Sequence, residues 1–94
     1  MIFHSWNDYY RKKYGTITPT TIIADTLRIF GQGIKVAVEI ILMATDAGLI
    51  MPKPVIGIAG TSRGADTVIL AEAKNSKKLF DMKVMDIIAK PKEW

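Results

Sequence analysis

The fold of this chain is decided by the stretch Val55-Ile56-Gly57-Ile58-Ala59-Gly60-Thr61-Ser62-Arg63-Gly64-Ala65-Asp66-Thr67-Val68-Ile69-Leu70-Ala71. Its two ends, 55–59 and 67–71, are short apolar runs of the kind that form β-strands. The segment between them is rich in glycine and hydroxyl side chains, which is typical of a loop. We expect antiparallel neighbours, because a parallel return needs about a dozen connecting residues.

Both runs are apolar at consecutive positions, without the alternation that marks a strand with one solvated face. Strands of this kind are usually covered on both faces and lie inside a sheet. A lone hairpin is marginally stable, and the sequence offers only two convincing strands. We therefore expect further strands from a partner chain, a second copy or a missing half of the domain.

Helices are predicted before the strands. Four aromatic residues recur at helical spacing within 3–14, and Thr18-Pro19 suits the start of a second helix that Gly31 ends. A third helix is predicted over 34–47, with Gly48 after its last turn. Its apolar residues nearly encircle it, so we expect it to be covered on most sides. Over 79–91 we favour a short helix running into an extended tail, and a short edge strand is the alternative.

Composition limits the classes of function. The chain has 94 residues, 49% hydrophobic and 23% charged, as expected for one folded domain over 1–94. It has no cysteine and a single histidine, His4, so we expect neither a metal site nor a nucleophilic triad. We find no secretory signal and no apolar run of about 20 residues. A cytoplasmic protein without a membrane partner is therefore expected.

Two segments together resemble a known family: Ile22-Ile23-Ala24-Asp25-Thr26-Leu27-Arg28-Ile29-Phe30-Gly31-Gln32-Gly33 and Ala59-Gly60-Thr61-Ser62-Arg63-Gly64-Ala65-Asp66-Thr67. The family comprises small prokaryotic, stand-alone relatives of the pyruvate kinase C-terminal (alpha/beta) domain, and the match runs from about residue 9 to residue 91. The resemblance implies an α/β fold of three layers, α/β/α, with a mostly parallel sheet and one antiparallel strand. Family members are about twice as long, and this chain resembles their C-terminal half. We therefore expect a partial version with two core strands and three to four helices.

The 60–67 segment is the first candidate binding site. Its glycines allow close approach to a ligand, its hydroxyls are hydrogen-bonding groups, and Arg63 suits a phosphate. In pyruvate kinases, loops of this general kind bind a sugar-phosphate effector. The alternative is a hairpin loop whose glycines supply positive φ and whose Asp66 bonds its own backbone. The candidate ligand-binding residues here are Gly60, Thr61, Ser62, Arg63, Gly64, Asp66 and Thr67.

The second candidate is the start of the third helix, at Gln32 and Gly33. Free N–H groups and the helix dipole attract anions there, and Lys35 in the first turn would help. The alternative, which we favour, is that Gly31 ends one helix and that the next glycine, Gly33, allows close packing at the start of the following helix. For the basic, aromatic stretch 9–14 we favour an amphipathic helix, so no nucleic-acid partner is expected. Asp25 with Arg28, and Lys35 with Glu39, suggest helical ion pairs rather than acid–base catalysis.

These observations favour a non-catalytic domain that binds a phosphate-bearing small molecule, a nucleotide such as FMN or a sugar phosphate. We expect no catalytic residues and no kinase activity, because the pyruvate kinase catalytic barrel is a separate domain. One alternative is a structural subunit or truncated fragment that completes a sheet with a partner chain. Another is a subunit of a flavin-dependent enzyme. We expect a homo-oligomer, or a partner chain that supplies further strands.

Overall fold

The fold is described by a computed structural model, which covers residues 11–13, 19–51, 53–60 and 64–93. Residues 11–13 are helical, and the rest of the predicted first helix lies outside the described residues. The elements that follow are α1 (Pro19–Arg28), α2 (Gln32–Asp46), β1 (Pro54–Gly60), β2 (Ala65–Glu72), a 3₁₀ segment (Ser76–Asp81) and β3 (Lys83–Ala89). The three strands form one sheet in the order β1-β2-β3. Both ladders are antiparallel, so the mostly parallel sheet implied by the resemblance is not found in the described residues, and the fold is mixed α/β.

The predicted hairpin is confirmed. β1 and β2 pair antiparallel, with Gly57 opposite Ile69 and Ile58 opposite Val68. Both strands are longer than the apolar runs that predicted them, because the ladder continues to Gly60 opposite Ala65, past an irregularity after Ala59. Asp66, which was predicted in the loop, therefore lies in β2 next to Thr67, which was predicted in the strand.

The structure of the C-terminal region differs from the predicted helix. The favoured helix after residue 79 is wrong, because the chain forms the 3₁₀ segment and then β3, which pairs antiparallel with β2. β3 is an edge strand, as the alternative had it, but it starts earlier and spans Lys83–Ala89. Val84 and Ile87, whose spacing suits a helix, instead lie opposite Ala71 and Ile69 across the ladder. The free edge of β2 offers hydrogen bonds to an apolar, β-branched segment, and this tertiary pairing overrides helical spacing. The described chain therefore has three strands, one more than expected.

The core lies between α2 and one face of the sheet. From α2, Ile34, Ala37, Val38 and Ile41 are buried, and they pack with Ala59, Ile69, Ala71 and Ala73 from the sheet side. Gly57 allows the close approach: a Cβ atom there would lie 2.9 Å from Cδ1 of Ile41. Among the strands, β2 contributes most to this core, because its side chains that face α2 are fully covered; Ile69 is 0% exposed. Burial of this apolar surface is the main force that holds helix and sheet together.

Two ion pairs lie within the helices, and one hydrogen bond links α2 to the 3₁₀ segment. Arg28 Nη1 lies 3.0 Å from Asp25 Oδ1, and Lys35 Nζ lies 2.6 Å from Glu39 Oε2, which confirms both predicted helical pairs. At the other end of α2, the backbone N–H of Ser76 donates to Asp46 Oδ1 over 2.8 Å. Gly48 has φ of 74°, the left-handed conformation expected of a glycine after a helix.

The opposite face of the sheet is open in the described part of the chain. Ile56 and Ile58 point away from α2 and are 61% and 59% exposed. α2 is also less covered than predicted, since Ile40 and Met43 on its outer side are exposed. α1 packs on α2, and residues of α1 line a cavity together with Val84 of β3. α1 and α2 therefore lie on the same side of the sheet. The described helices thus leave one apolar sheet face without cover.

Candidate functional site

The predicted binding segment is only partly described. Gly60 ends β1, Gly64 directly precedes β2, and Asp66 and Thr67 lie near the start of β2. Thr61, Ser62 and Arg63 lie outside the described residues.

The backbone geometry explains why glycine stands at positions 60 and 64. A Cβ atom on Gly60 would lie 2.7 Å from the carbonyl carbon of Gly64, closer than real Cβ contacts. Gly64 itself has φ of 99°, a conformation that side-chain-bearing residues rarely adopt. Tight chain reversal next to an irregular ladder position is therefore sufficient to require both glycines. Gly64 thus has the positive φ that the structural alternative for this loop expects, whereas Gly60 is required by the close approach of Gly64 instead.

Thr67 is turned into the protein. It is 0% exposed, and its hydroxyl donates a hydrogen bond to Asp66 Oδ1 over 2.8 Å. A buried hydroxyl needs such an acceptor, because an unpaired one costs about 1–3 kcal/mol. The hydroxyl that was expected to face a ligand therefore orients Asp66, whose side chain remains half-buried.

The start of α2 abuts the start of β2, and this contact joins the two candidate sites. A Cβ atom on Gly33 would lie 2.7 Å from Cβ of Thr67, closer still to its hydroxyl oxygen, and 3.2 Å from Asp66 Oδ1. Only a residue without a side chain fits between helix and strand at this distance. Gly33 is itself buried. Gly33 therefore allows the N-terminus of α2 to pack on β2, as the favoured structural interpretation of these glycines expects.

The N-terminus of α2 is an electropositive end. The helix starts after Gly31, which has φ of 117° and no side chain to cap the helix. Amide groups in the first turn, including those of Gln32 and Gly33, have no acceptor within the helix. Together with the helix dipole they carry partial positive charge equivalent to about half an elementary charge. The side chain of Gln32 does not cap the helix either, since its Oε1 accepts a hydrogen bond of 2.8 Å from Arg28 Nε.

Lys35 does not contribute to this end of the helix as expected. Its ammonium group is held by Glu39, one turn further along α2. Lys35 and Glu39 also line a cavity of about 260 Å³ between α1 and α2. The charge that was predicted to assist an anion at Gln32 and Gly33 is therefore directed toward α1. Within the described residues, the charged side chains next to the site are Asp66 and Arg28, and Arg28 is paired with Asp25.

The carboxylates with shifted pKa values lie elsewhere. Hydrogen bonds from the side chain and backbone of Ser76 lower the pKa of Asp46, at the far end of α2. A hydrogen bond from Lys74, together with its charge, lowers the pKa of Glu72, at the end of β2. In both cases the partner stabilises the ionised carboxylate and so lowers its pKa, as is usual for structural ion pairs and caps. Neither carboxylate is poised to exchange a proton near neutral pH.

An apolar cavity was not anticipated from the sequence. It has a volume of about 360 Å³ and lies between α1, the 3₁₀ segment and β3, where its lining residues are Ile22, Ile23, Thr26, Leu27, Val38, Leu79, Phe80, Met82 and Val84. It lacks charged groups and contains none of the candidate site residues, so it is unsuited to a phosphate. The apolar stripe of α1 was visible in the sequence. The 3₁₀ segment and β3, which close the cavity, were not.

Comparison with known proteins adds little to this geometry. Across the described ranges, no three histidine or acidic side chains cluster as a metal centre would require. Likewise, each helix in the described ranges is too short or too polar to cross a bilayer. The sequence matches no known protein-family model.

Proposed function

We propose that this chain is a non-catalytic domain that binds a small phosphate-bearing molecule, a nucleotide such as FMN or a sugar phosphate. The observation that supports it is the contact of Gly33 with Thr67. It brings the two segments that the sequence marked independently, one at 31–33 and one at 60–67, to a single place. Each of the two has chemistry suited to an anion.

The amides of Gln32 and Gly33 would supply the first set of donors. They belong to a helix of 15 residues, long enough for a full dipole, and nothing caps it through a side chain at Gly31. Backbone donors at such an end bind phosphate without long cationic side chains. The absence of Lys35 from this end is therefore compatible with the proposal.

The second set of donors would come from the loop that follows β1. Thr61 and Ser62 carry hydroxyls, and Arg63 carries the planar fork that binds phosphate oxygens in pairs. Gly60 is next to them in the chain and lies at the hairpin end where β2 begins. Arg63 would add a second guanidinium to that of Arg28, which already bonds Gln32 and Asp25.

Asp66 favours one class of ligand over another. A carboxylate close to a phosphate repels it, but the same group accepts hydrogen bonds from hydroxyls. The hydroxyl of Thr67 donates a hydrogen bond to Asp66 Oδ1 and helps to orient the carboxylate. We propose that Asp66 faces a sugar or ribityl hydroxyl of the ligand, which is why a phosphate ester fits better than inorganic phosphate.

The finer architecture belongs to the same proposal. The exposed Ile56 and Ile58 show where another layer would lie if the fold is the α/β/α arrangement of the pyruvate kinase C-terminal domain. The chain would then have no kinase activity of its own, and a cytoplasmic location would suit its ligands.

The test is a calorimetric titration of the full chain with FMN and with a hexose phosphate. Arg63→Ala should weaken binding of the ligand that binds by at least tenfold, because a charged hydrogen bond is worth about 1.5–3 kcal/mol. Arg11→Ala is the matched control: it removes the same charge from an exposed position and should leave affinity unchanged. No binding of either compound, or equal losses in both variants, would reject the proposal.

A second candidate is a structural subunit that completes its sheet with a partner chain. The observation that favours it is the open sheet face, where the exposed Ile56 and Ile58 stand beside Val68 and Leu70 on β2. Apolar side chains in this arrangement are typical of a surface that another protein covers. Light scattering tests this candidate, because a stable monomer with no partner would count against it.

A further inference from the structure

β1 lies at an edge of the sheet formed by the described strands. Among the described residues it pairs with β2 alone, which leaves its other side open. Its sequence, PVIGIAG over Pro54–Gly60, contains no charged residue. Proteins usually blunt an exposed edge with lysine, bulges or cover, because its free N–H and C=O groups pair readily with another strand. Only Pro54 and the irregularity after Ala59, at the two ends of β1, restrict such pairing.

The other edge of the sheet differs. β3 carries Lys83 and Asp86, and its ladder with β2 is irregular at two places. Charges and irregular pairing both disfavour the addition of a strand. β3 exposes apolar side chains as well, but its backbone is the less suitable template. The comparison singles out β1.

The sequence of β1 is close to a palindrome around Gly57: Val55-Ile56-Gly57-Ile58-Ala59. We propose that β1 pairs antiparallel with β1 of a second copy of this chain, about a two-fold axis at Gly57. In that register Ile56 of each copy lies opposite Ile58 of the other, on the open face of the sheet. Opposed β-branched residues stabilise an antiparallel pair. A two-fold axis also closes the assembly at two copies.

The second copy would extend two apolar surfaces at once. On the open face, Ile56 and Ile58 already lie opposite Leu70 and Val68, so pairing continues one apolar surface across both copies. On the helical side, α2 faces α1 through Lys35, Val38, Glu39 and Leu42. At 100° per residue, Ile40 lies on the opposite flank of α2, and it is 45% exposed. This flank would face the second copy.

The size of the contact reaches the minimum that a specific dimer requires. β1 has 7 residues, about 24 Å of strand, and the sheet with one helix layer is about 20 Å thick. The footprint is then about 500 Å² on each copy, so about 1,000 Å² in total, the lower limit for a specific interface. The result is a continuous sheet with three strands from each copy, within the usual size range. This inference makes the second candidate function specific and does not depend on ligand binding.

The experiment is light scattering on the full chain after size exclusion. We expect a mass of about 21 kDa, twice the 10.4 kDa of one chain. Ile58→Lys places a charge on β1 and should halve the mass. Ile88→Lys is the control, because Ile88 is similarly exposed but lies on β3. A wild-type monomer, an assembly larger than two, or dissociation by Ile88→Lys but not by Ile58→Lys would overturn the proposal.

Cysteine cross-linking tests the register even where a lysine variant fails to fold. The chain contains no cysteine, so introduced thiols have no competitors. A mixture of Ile56→Cys and Ile58→Cys chains should oxidise to a covalent dimer at least fivefold faster than either chain alone, because opposite positions are closer than diagonal ones. Equal rates, or faster cross-linking of Ile88→Cys, would overturn the register. A monomeric variant that still binds a phosphate ester would leave the proposed ligand function intact, and a dimer that binds none would reject only that function.

Discussion

Substitution of Gly33 by alanine tests the contact on which the site rests. The new methyl group would lie 2.7 Å from Cβ of Thr67, which is fixed to the backbone of β2. Since carbon atoms pack at about 3.5–4.0 Å, α2 and β2 must separate by about 1 Å. Thr67 is fully buried, so no empty space absorbs the shift. The helix end would be displaced from the strand.

The magnitude follows from two opposing effects. Insertion of a methyl group into a packed site costs about 1–3 kcal/mol, whereas alanine favours a helix over glycine by up to about 1 kcal/mol. Gly33 is in the first turn, where that gain is smaller. We expect a net loss of about 2 kcal/mol, a large part of the roughly 5–14 kcal/mol that a chain of this size has.

Urea unfolding followed by far-ultraviolet circular dichroism measures this loss. The midpoint should fall by about 1 M at unchanged slope. A cycle with Thr67→Ala isolates the contact: the double variant should be less destabilised than the sum of the single variants by about 1 kcal/mol. A Gly33→Ala chain as stable as the wild type, or strictly additive effects, would refute the close packing of α2 on β2.

Three further predictions concern single side chains. Asp66→Asn should raise affinity for inorganic phosphate by about fivefold, or ~1 kcal/mol, because a repelling charge is removed; calorimetry that finds no gain would contradict the proposed position of the ligand. Because hydrogen bonds from Ser76 lower the pKa of Asp46, its contribution to stability should be complete above the ordinary value of 3.8 and should decline as the pH falls through the lower folded-state pKa. The urea midpoint of Asp46→Asn should therefore fall less between pH 5 and pH 2 than that of the wild type, and parallel curves would show that the hydrogen bond is unimportant. Gly64→Ala should cost about 1–2 kcal/mol because φ at Gly64 is 99°; an unchanged melting temperature would argue against this turn geometry.

Local patterns predicted the elements that depend on neighbouring residues. The apolar runs at 55–59 and 67–71 predicted an antiparallel hairpin, and glycines marked both ends of α2. The pairs Asp25–Arg28 and Lys35–Glu39 followed from spacing on a helix. Each of these features is determined within a few residues of sequence.

Features that depend on distant residues were not predicted. A helix was favoured where β3 forms, and the edge strand was only the alternative, because its partner Ile69 lies far along the chain and spacing alone cannot reveal it. The described residues do not themselves cover both sheet faces, since Ile56 is exposed, and the expected cover from another chain or a missing half stays a prediction. Gly33 and Thr67 each belonged to a candidate segment, but their contact is a property of the folded chain. The sequence thus identified the pieces of the candidate site without showing that they meet.

The most direct test of the central claim is an amide NMR titration of the ¹⁵N-labelled chain with FMN or a hexose phosphate. The chain has 7 glycines, whose amides are readily resolved. The account predicts that Gly31, Gly33, Gly60 and Gly64 shift together with one saturating curve. Gly48 should not move, because α2 places it about 22 Å from the other end of the helix. Shifts confined to Gly48 or Gly57, or no shift at any glycine, would contradict a phosphate site where α2 meets β2.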